Sequence, residues 1–135
     1  MISTPHREKG KTPIQPCFAE DCEGAVTVFH EFAEGLKDVE EFSHIYLLYL
    51  LHEETEEKLM VKPFLQDIER GVFATRAPCR PNHMGLSIVK IIECKGNVVR
   101  FSGADMLDSS PLLDIKPYTA RFDCIQGTRN GWQDE

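Results

Sequence analysis

The sequence predicts a mainly β protein: a small closed or nearly closed antiparallel β-barrel with one or two short helices. Two observations predict this class. At least six short runs rich in β-branched and aromatic residues follow one another, separated by residues that favour turns. Hardly any segment has the pattern of a crossover helix, which a parallel sheet would require. A barrel is favoured over an open sheet because closure removes the exposed edges.

The six predicted strands are short. They are GAVTVF (Gly24 to Phe29), HIYLLYLL (His44 to Leu51), GVFAT (Gly71 to Thr75), LSIVKIIECK (Leu86 to Lys95), NVVRFSG (Asn97 to Gly103) and LLDIKPY (Leu112 to Tyr118). The fifth run alternates between apolar and polar residues, which indicates a half-buried antiparallel strand. The second run is apolar on both faces, so we expect it in the interior.

Two connections have recognisable local patterns. The segment CKGNVV predicts a tight hairpin, because Gly96 and Asn97 both tolerate the positive φ that a primed turn demands. The segment FAEGLKDVEEF (Phe32 to Phe42) predicts one or two helical turns with Leu36, Val39 and Phe42 facing inward.

The length and composition exclude several classes of protein. A chain of 135 residues suits one domain, and we expect it to span residues 1–135. No apolar run approaches the roughly 18 to 20 residues of a membrane span. The N-terminal residues MISTPHREKGK lack the apolar stretch of a secretory signal, so we expect a cytoplasmic protein. No GxGxxG or P-loop motif is present, which argues against a doubly wound nucleotide-binding fold.

The charge is unevenly distributed. The net charge of −7 argues at first against a polyanionic partner. Twelve of the 22 acidic residues lie between Glu20 and Glu57, together with one basic residue, Lys37. The remainder of the chain therefore has 14 basic and 10 acidic residues. The pattern describes an acidic face, which is an ordinary solvated surface or a functional one, and a mildly basic remainder.

The loop TRAPCRPNHMGLS, from Thr75 to Ser87, is the first candidate for a binding site. Two prolines stiffen it, and Arg76 and Arg80 present planar guanidinium groups. Such a loop loses little entropy when it binds a carboxylate or a phosphate. The alternative is that both arginines form ion pairs within the domain.

The segment GADMLDSSPLLDIKPY, from Gly103 to Tyr118, is the second candidate. Asp105, Asp108 and Asp114 are close in sequence but have no histidine at ligand spacing, so we expect no metal site. Turn capping explains part of the pattern. The alternative is a ligand pocket lined by backbone groups and one or two of these carboxylates.

Two isolated polar residues lie at the edges of apolar segments. His52 follows the run IYLLYLL, where side chains pass from the core to the rim, and it is either structural or functional. Gln15 lies in the proline-bracketed stretch KTPIQP, where an amide can contact a planar polar ligand or simply be hydrated.

The sequence resembles the TsaA-like (TrmO-type) family of S-adenosylmethionine-dependent tRNA methyltransferases. The resemblance covers Thr4 to Tyr118 in the family's order. The motifs that carry it are GVFATRAPCRPNHMGLSIV, DMLDSSPLLDIKPY, GLKDVEEFSHIYLLYLLH and TPHREKGKTPIQP. The chain departs from the family pattern at five positions, namely Ile14, His83, Met84, Ser109 and Ser110. The family has glycine and threonine at the last two.

The resemblance implies a β-barrel that binds S-adenosylmethionine and acts as a homodimer. The implied reaction is methylation of the exocyclic amine of threonylcarbamoyl adenosine, next to the tRNA anticodon. His52 and Asp105 are the candidate bases for this reaction, and no metal is implied. The implied cofactor-binding residues are Pro13, Ile14, Gln15, His52, Glu53, Arg76, Arg80, Ser87, Leu107, Asp108, Ser109 and Ser110.

Two other functions remain open from the sequence. One is a non-catalytic domain that binds or senses S-adenosylmethionine, which the short chain and the altered SSP turn favour. The other is a methyltransferase for a small molecule that uses the same pocket without RNA.

Overall fold

The structure, a computed structural model, describes residues 1–8, 22–64 and 66–135. These residues are mainly β, as predicted. The strands are β1 (Ile2–Ser3), β2 (Glu23–Thr27), β3 (His44–Leu50), β4 (Met60–Val61), β5 (Arg70–Gly71), β6 (Met84–Lys95), β7 (Val98–Ser102) and β8 (Leu112–Pro117). The helices are short: α1 (Ala120–Asp123) and four 3-10 helices, His30–Leu36, Val39–Glu41, Val72–Ala74 and Gly131–Asp134.

Six strands form one antiparallel sheet in the order β1-β2-β7-β6-β3-β8. The sheet curls into a half-barrel. Among the described residues, an isolated bridge between Ile2 on β1 and Ser110, just before β8, connects the two edges. The prediction of a mainly β, small antiparallel barrel is confirmed, and over the described residues the barrel is a half-barrel. The ladder does not continue along β8 because β1 has only two residues.

The concave face of the sheet forms the core. Buried side chains include Ile45 and Leu47 on β3, Val26 on β2, and Val99 and Phe101 on β7. Burying each large apolar side chain contributes roughly 1.5–3 kcal/mol. This core fixes which face of each strand points inward, and it therefore sets the positions of the polar residues on the same face.

The prediction that HIYLLYLL is buried on both faces was wrong. In β3, buried residues alternate with partly exposed ones, and Leu50 is 39% exposed. The reason is that the sheet is covered on its concave side, whereas the convex side of β3 faces outward beside Leu86 and Ile88 of β6. The apolar composition of the outer face was mistaken for burial.

The hairpin between β6 and β7 is confirmed. Lys95 pairs with Val98, which leaves Gly96 and Asn97 as the two turn residues. Gly96 has a φ of +61°, as the first position of a primed turn requires. Asn97 does not share the positive φ; its side-chain amide instead donates to the carbonyl of Val28 at 2.8 Å.

The helical turns predicted within residues 32–42 are present as two 3-10 helices. The first ends at Leu36, which is buried, and the second begins at Val39, which packs against the core. Asp38 separates them because its φ of 70° cannot continue a helix.

The strand predicted over GVFAT was wrong. Only Gly71 belongs to a strand, and residues 72–74 form a 3-10 helix. Both the amide and the hydroxyl of Thr75 donate to the carbonyl of Val72, at 3.1 and 2.9 Å. These local bonds close a turn where no long neighbouring strand offers a ladder, and Phe73 points outward.

Candidate functional site

Three of the predicted site segments meet at the C-terminal end of β3. The amide of Leu50 donates to the carbonyl of Pro111 at 2.9 Å, and the amide of Leu51 donates to the carbonyl of His83 at 2.8 Å. Pro111 directly follows residues 104–110, named here the inner wall, and His83 ends residues 75–83, named here the arginine loop. The end of β3 therefore brings these two segments together. His52 and Glu53 follow directly and are exposed. We call this meeting point the junction.

The N-terminal segment braces the inner wall. The amide of Thr4 donates to Oδ1 of Asp108 at 2.9 Å, and the hydroxyl of Thr4 donates to the carbonyl of Met106 at 2.8 Å. Nε2 of His6 contacts the carbonyl of Ala104 at 2.6 Å. Backbone bonds run from Asp108 to His6 and from Ser109 to Ile2. The inner wall is thus held along its whole length.

The residues of the PIQ stretch, Pro13, Ile14 and Gln15, lie outside the described residues. They follow in sequence the N-terminal segment that contacts the inner wall. Their predicted role stays a prediction.

The turn from Leu107 to Ser110 adopts a special backbone conformation. Ser109 has a φ of 65°, in the left-handed region that favours glycine. Ser110 is buried, and its hydroxyl donates to the carbonyl of Leu107 at 2.6 Å. A left-handed residue other than glycine costs about 1–2 kcal/mol, so this turn holds strain at the position where the family pattern has glycine.

A buried polar chain lies beneath the junction. The hydroxyl of Tyr49 is 2.9 Å from Oγ of Ser87, and Oγ of Ser87 donates to Oδ1 of Asp105 at 2.6 Å. Burial raises the pKa of Asp105 to about 6, although the Ser87 hydrogen bond and the charge of Arg76 act in the opposite direction. Burial also raises the pKa of Tyr49, so this phenol stays neutral.

The two arginines of the arginine loop play different parts. Nη1 of Arg80 donates to the carbonyls of Thr75 and Ala77, at 2.7 and 3.3 Å, and its guanidinium lies 5.9 Å from the ring centre of Phe73. Arg80 therefore braces the loop from within. Arg76 is exposed, and its charge acts on Asp105. The inner wall and the arginine loop are coupled electrostatically through this pair.

Sequence reasoning missed three residues of this region: Tyr49, Thr4 and His6. Tyr49 is concealed within an apolar run, and only the register of β3 against β6 shows that it faces Ser87. Thr4 and His6 lie in the quoted TPH stretch, but nothing in their spacing indicates a contact with residues about 100 positions away.

The remaining predicted groups and surfaces give no competing site. Asp114 is exposed and lies 3.4 Å from Nζ of Lys116. Within residues 1–8, 22–64 and 66–135, no group of His, Cys, Asp or Glu side chains could hold a metal ion. Over the same ranges, no helix is long and apolar enough to cross a membrane. A surface depression of about 740 Å³ near the C-terminus contains no predicted site residue; Thr128, Arg129, Gly131 and Asp134 line it.

The junction thus combines a buried carboxylate, an exposed guanidinium and a strained turn. A carboxylate with a pKa near neutrality can accept a proton, and a guanidinium can bind a carboxylate or phosphate. These are the components of a site that binds a polar ligand and can move a proton.

Comparisons with known proteins agree on one family. The family model of the tRNA-methyltransferase O N-terminal domain matches residues 1–124. A probable S-adenosyl-L-methionine-binding protein of Pyrococcus abyssi is 51% identical over 98% of this chain and 72% of its own length. A tRNA (adenine(37)-N6)-methyltransferase of Mus musculus is 37% identical over 85% of this chain and 28% of its own length.

A solved structure shares the fold. The crystal structure of TrmO from Pseudomonas aeruginosa matches 99% of this chain with a TM-score of 0.83 and 36% identity. The chain covers 60% of that protein, so it spans only part of that relative. The chain therefore belongs to the family of the tRNA-methyltransferase O N-terminal domain.

Proposed function

We propose that this protein is an S-adenosylmethionine-dependent methyltransferase that acts on tRNA. The observation that carries the proposal is the buried Asp105 carboxylate beside Arg76, at the point where the family's motifs meet. The finer proposal is that the substrate is threonylcarbamoyl adenosine next to the anticodon, methylated on its exocyclic amine. The name of the mouse relative and the description of the matching family model support the tRNA substrate class.

The residues of the junction fit S-adenosylmethionine chemically. The cofactor has a carboxylate that the exposed guanidinium of Arg76 could bind. Ser109, at the strained turn, is exposed and could contact the polar parts of the nucleoside. The proposed cofactor-binding residues are those of the family motifs, namely Pro13 to Gln15, His52 with Glu53, Arg76, and Leu107 to Ser110. Two members of that set are placed behind the site instead, because Ser87 is enclosed and Arg80 bonds its own loop.

The chain's own groups have two tasks in methyl transfer. When bound, the cofactor supplies an electrophilic methyl carbon, whose bond to sulfur breaks with its electron pair as the acceptor nitrogen attacks. The arginine loop and the inner wall position the reactants, and positioning provides much of the rate enhancement in such displacements. A base, His52 or Asp105, accepts the proton that the acceptor nitrogen releases, and it then passes the proton to water.

The proposed RNA partner agrees with the shape and the charge of the molecule. A base in an anticodon loop is already partly unstacked, so a site at the mouth of a half-barrel can reach it without opening a duplex. The basic excess outside residues 20–57 supplies modest attraction for phosphates.

We further propose that the protein is a cytoplasmic homodimer and that residues 1–135 form one domain. Exposed apolar side chains on the outer side of β6, namely Met84, Leu86 and Ile88, support the dimer. The C-terminal residues support the single domain because they contact residues 70–74: Trp132 donates to the carbonyl of Ala74 at 2.7 Å, and Arg70 bonds Glu135 at 2.6 Å.

The experiment that tests the cofactor is thermal unfolding with and without S-adenosylmethionine. A ligand that binds only the folded state stabilises it by about 2.7 kcal/mol at a hundredfold excess over Kd, so the melting temperature should rise. An unchanged melting temperature at millimolar cofactor contradicts the proposal.

The experiment that tests the reaction is methyl transfer from labelled cofactor to total tRNA, followed by nucleoside analysis. We expect the label in threonylcarbamoyl adenosine. Label in another nucleoside keeps the methyltransferase and rejects the finer substrate, whereas no label at all rejects tRNA methylation.

A non-catalytic S-adenosylmethionine-binding function is the second candidate. Two observations favour it: the Pyrococcus abyssi relative is named only as a probable binding protein, and the Ser109–Ser110 turn departs from the family pattern. A melting-temperature increase without methyl transfer to any RNA would select this function.

A further inference from the structure

Tyr49, Ser87 and Asp105 form a buried, hydrogen-bonded group of polar side chains beneath the junction. The three residues are 5%, 1% and 9% exposed, and Tyr49 belongs to the apolar core cluster. Burying polar groups in a core opposes folding unless each is hydrogen-bonded. All three side chains are hydrogen-bonded, so the core accommodates them, and they form a connected polar group that ends at a carboxylate.

The hydrogen bonds among Tyr49, Ser87 and Asp105 run in one direction. The hydroxyl proton of Ser87 is committed to Oδ1 of Asp105. Since a serine hydroxyl has one proton, Tyr49 must be the donor in its 2.9 Å contact with Oγ of Ser87. Both donors therefore point toward Asp105, which is the final acceptor. This direction stabilises the ionised carboxylate, the form that can accept a proton.

The position of Tyr49 is set by an unusually close cross-strand contact. Tyr49 pairs with Gly85, and a Cβ atom at Gly85 would lie 2.3 Å from the tyrosine ring. The ring therefore lies directly over the glycine backbone. Ser87 lies two residues further along β6, on the same face, which places its hydroxyl beside the phenol. The backbone register, rather than a mobile loop, aims the hydroxyls at Asp105.

The charged and titratable groups around Asp105 come from three directions. Arg76 lies on the arginine loop and favours the ionised carboxylate. Tyr49 lies on β3 and is neutral, since burial raises its pKa. His6, on the N-terminal segment, contacts the backbone of Ala104, and Asp108 follows on the inner wall. His52, the other candidate base, is exposed at the rim.

We propose that Asp105 is the base that accepts the proton of the acceptor nitrogen, and that Ser87 and Tyr49 are positioning residues that keep its carboxylate ionised and oriented. This inference rests on the proposed methyltransferase function. The nitrogen gains a bond to the methyl carbon and loses its proton, which forms a carboxylic acid at Asp105. That proton leaves to water before the next turnover. Ser87 acts through Asp105, because its own hydroxyl is enclosed and committed.

The test compares two pairs of variants in the full chain. Ser87→Ala and Tyr49→Phe each remove one of the two hydroxyls that are hydrogen-bonded in series to Asp105. Their matched controls are Ser102→Ala on β7 and Tyr46→Phe, on the opposite face of β3. For every variant, kcat/KM for methyl transfer to tRNA is measured from pH 5 to pH 9. The titration of the Asp105 carboxyl is followed in parallel by carbon-13 NMR, which needs neither cofactor nor turnover.

We expect Ser87→Ala to move the acidic limb of the pH profile upward by about one pH unit, because the carboxylate loses the hydrogen bond that favours its ionised form. The NMR titration of Asp105 should move by the same amount. Tyr49→Phe should shift both measurements less and in the same direction, and the two controls should leave both unchanged.

Two results would overturn the inference. One is an Asp105 titration that is the same in Ser87→Ala as in the parent, and the other is a pH profile that moves independently of this titration. If the parent transfers no methyl group to any tRNA, the proposed function fails. The NMR titration then still decides whether Ser87 and Tyr49 keep Asp105 ionised.

Discussion

The inner wall and the arginine loop face the same junction, but they are held in different ways. The inner wall is mostly buried and is tied to the N-terminal strand by side-chain and backbone hydrogen bonds from Ile2, Thr4 and His6. The arginine loop has no buried residue and is braced largely from within, through Arg80. Under the proposed function, the inner wall holds the carboxylate that accepts a proton, and the arginine loop provides charge for binding.

Asp105→Asn, a substitution in the inner wall, has the largest expected effect on catalysis. The amide cannot accept a proton, and general-base catalysis contributes typically 10²- to 10⁴-fold, so we expect kcat to fall at least about a hundredfold. Binding of S-adenosylmethionine, measured by calorimetry, should change far less. Retention of parental turnover would move the catalytic role to His52, which His52→Gln would then reveal.

The burial of Asp105 also predicts a pH dependence of stability. Its folded pKa of about 6 lies above the ordinary value of 3.8, so the folded state binds the proton more tightly than the unfolded state. Its contribution to stability is therefore present below pH 3.8 and is lost as the pH rises through about 6. A shift of this size corresponds to about 2–3 kcal/mol.

The measurement is urea unfolding of the parent and of Asp105→Asn from pH 4 to pH 7. The free energy of unfolding of the parent should fall relative to that of the variant over this range. A constant difference between the two proteins would show that Asp105 is not desolvated in the folded state.

Arg76→Ala tests the exposed side of the comparison. A charge-assisted hydrogen bond contributes roughly 1.5–3 kcal/mol, so Kd for the cofactor or KM for tRNA should rise about 10- to 100-fold. The melting temperature should change little because Arg76 is exposed. Arg129→Ala, at another exposed arginine, is the matched control. Unchanged binding of both ligands would show that Arg76 serves only in an ion pair at the surface of the domain.

Ser109→Gly has the smallest expected effect and sharpens the description of the inner wall. Glycine removes the cost of a φ of 65°, so the free energy of unfolding should rise by up to about 1 kcal/mol. Asp38→Gly, at a φ of 70° outside the junction, should stabilise the chain similarly without affecting cofactor binding. A decrease in stability for Ser109→Gly would mean that the serine side chain contributes more than the backbone strain costs.

Much of the fold was predictable because it depends on local pattern. The strands around Val26, Ile45 and Val99 were found from β-branched runs, and the hairpin at Gly96 from turn residues. The strand predicted at Phe73 failed because the same residue types also fit a turn closed by Thr75. Nothing in a short run tells whether a partner strand lies beside it.

The candidate site was predictable only in part. The segments with Arg76 and Asp105 stood out because they are rich in charged, proline and glycine residues within an apolar context. From the sequence, Arg76 and Arg80 had the same two possible roles. In the structure, Arg80 donates hydrogen bonds to carbonyls of its own loop. The role of Tyr49 could not be predicted, because the sequence of an apolar strand does not show whether a tyrosine hydroxyl in it has a hydrogen-bond partner.

The sequence by itself determined the fold class, the family and the segments that could form a site, because these follow from periodicity, turn chemistry and motifs of contiguous residues. Only the tertiary structure decided which side chains meet. The contact of Thr4 with Met106, and that of Tyr49 with Ser87, join residues far apart along the chain. Such contacts are set by strand order, register and the inward face of each strand, and these depend on the whole core rather than on any one segment.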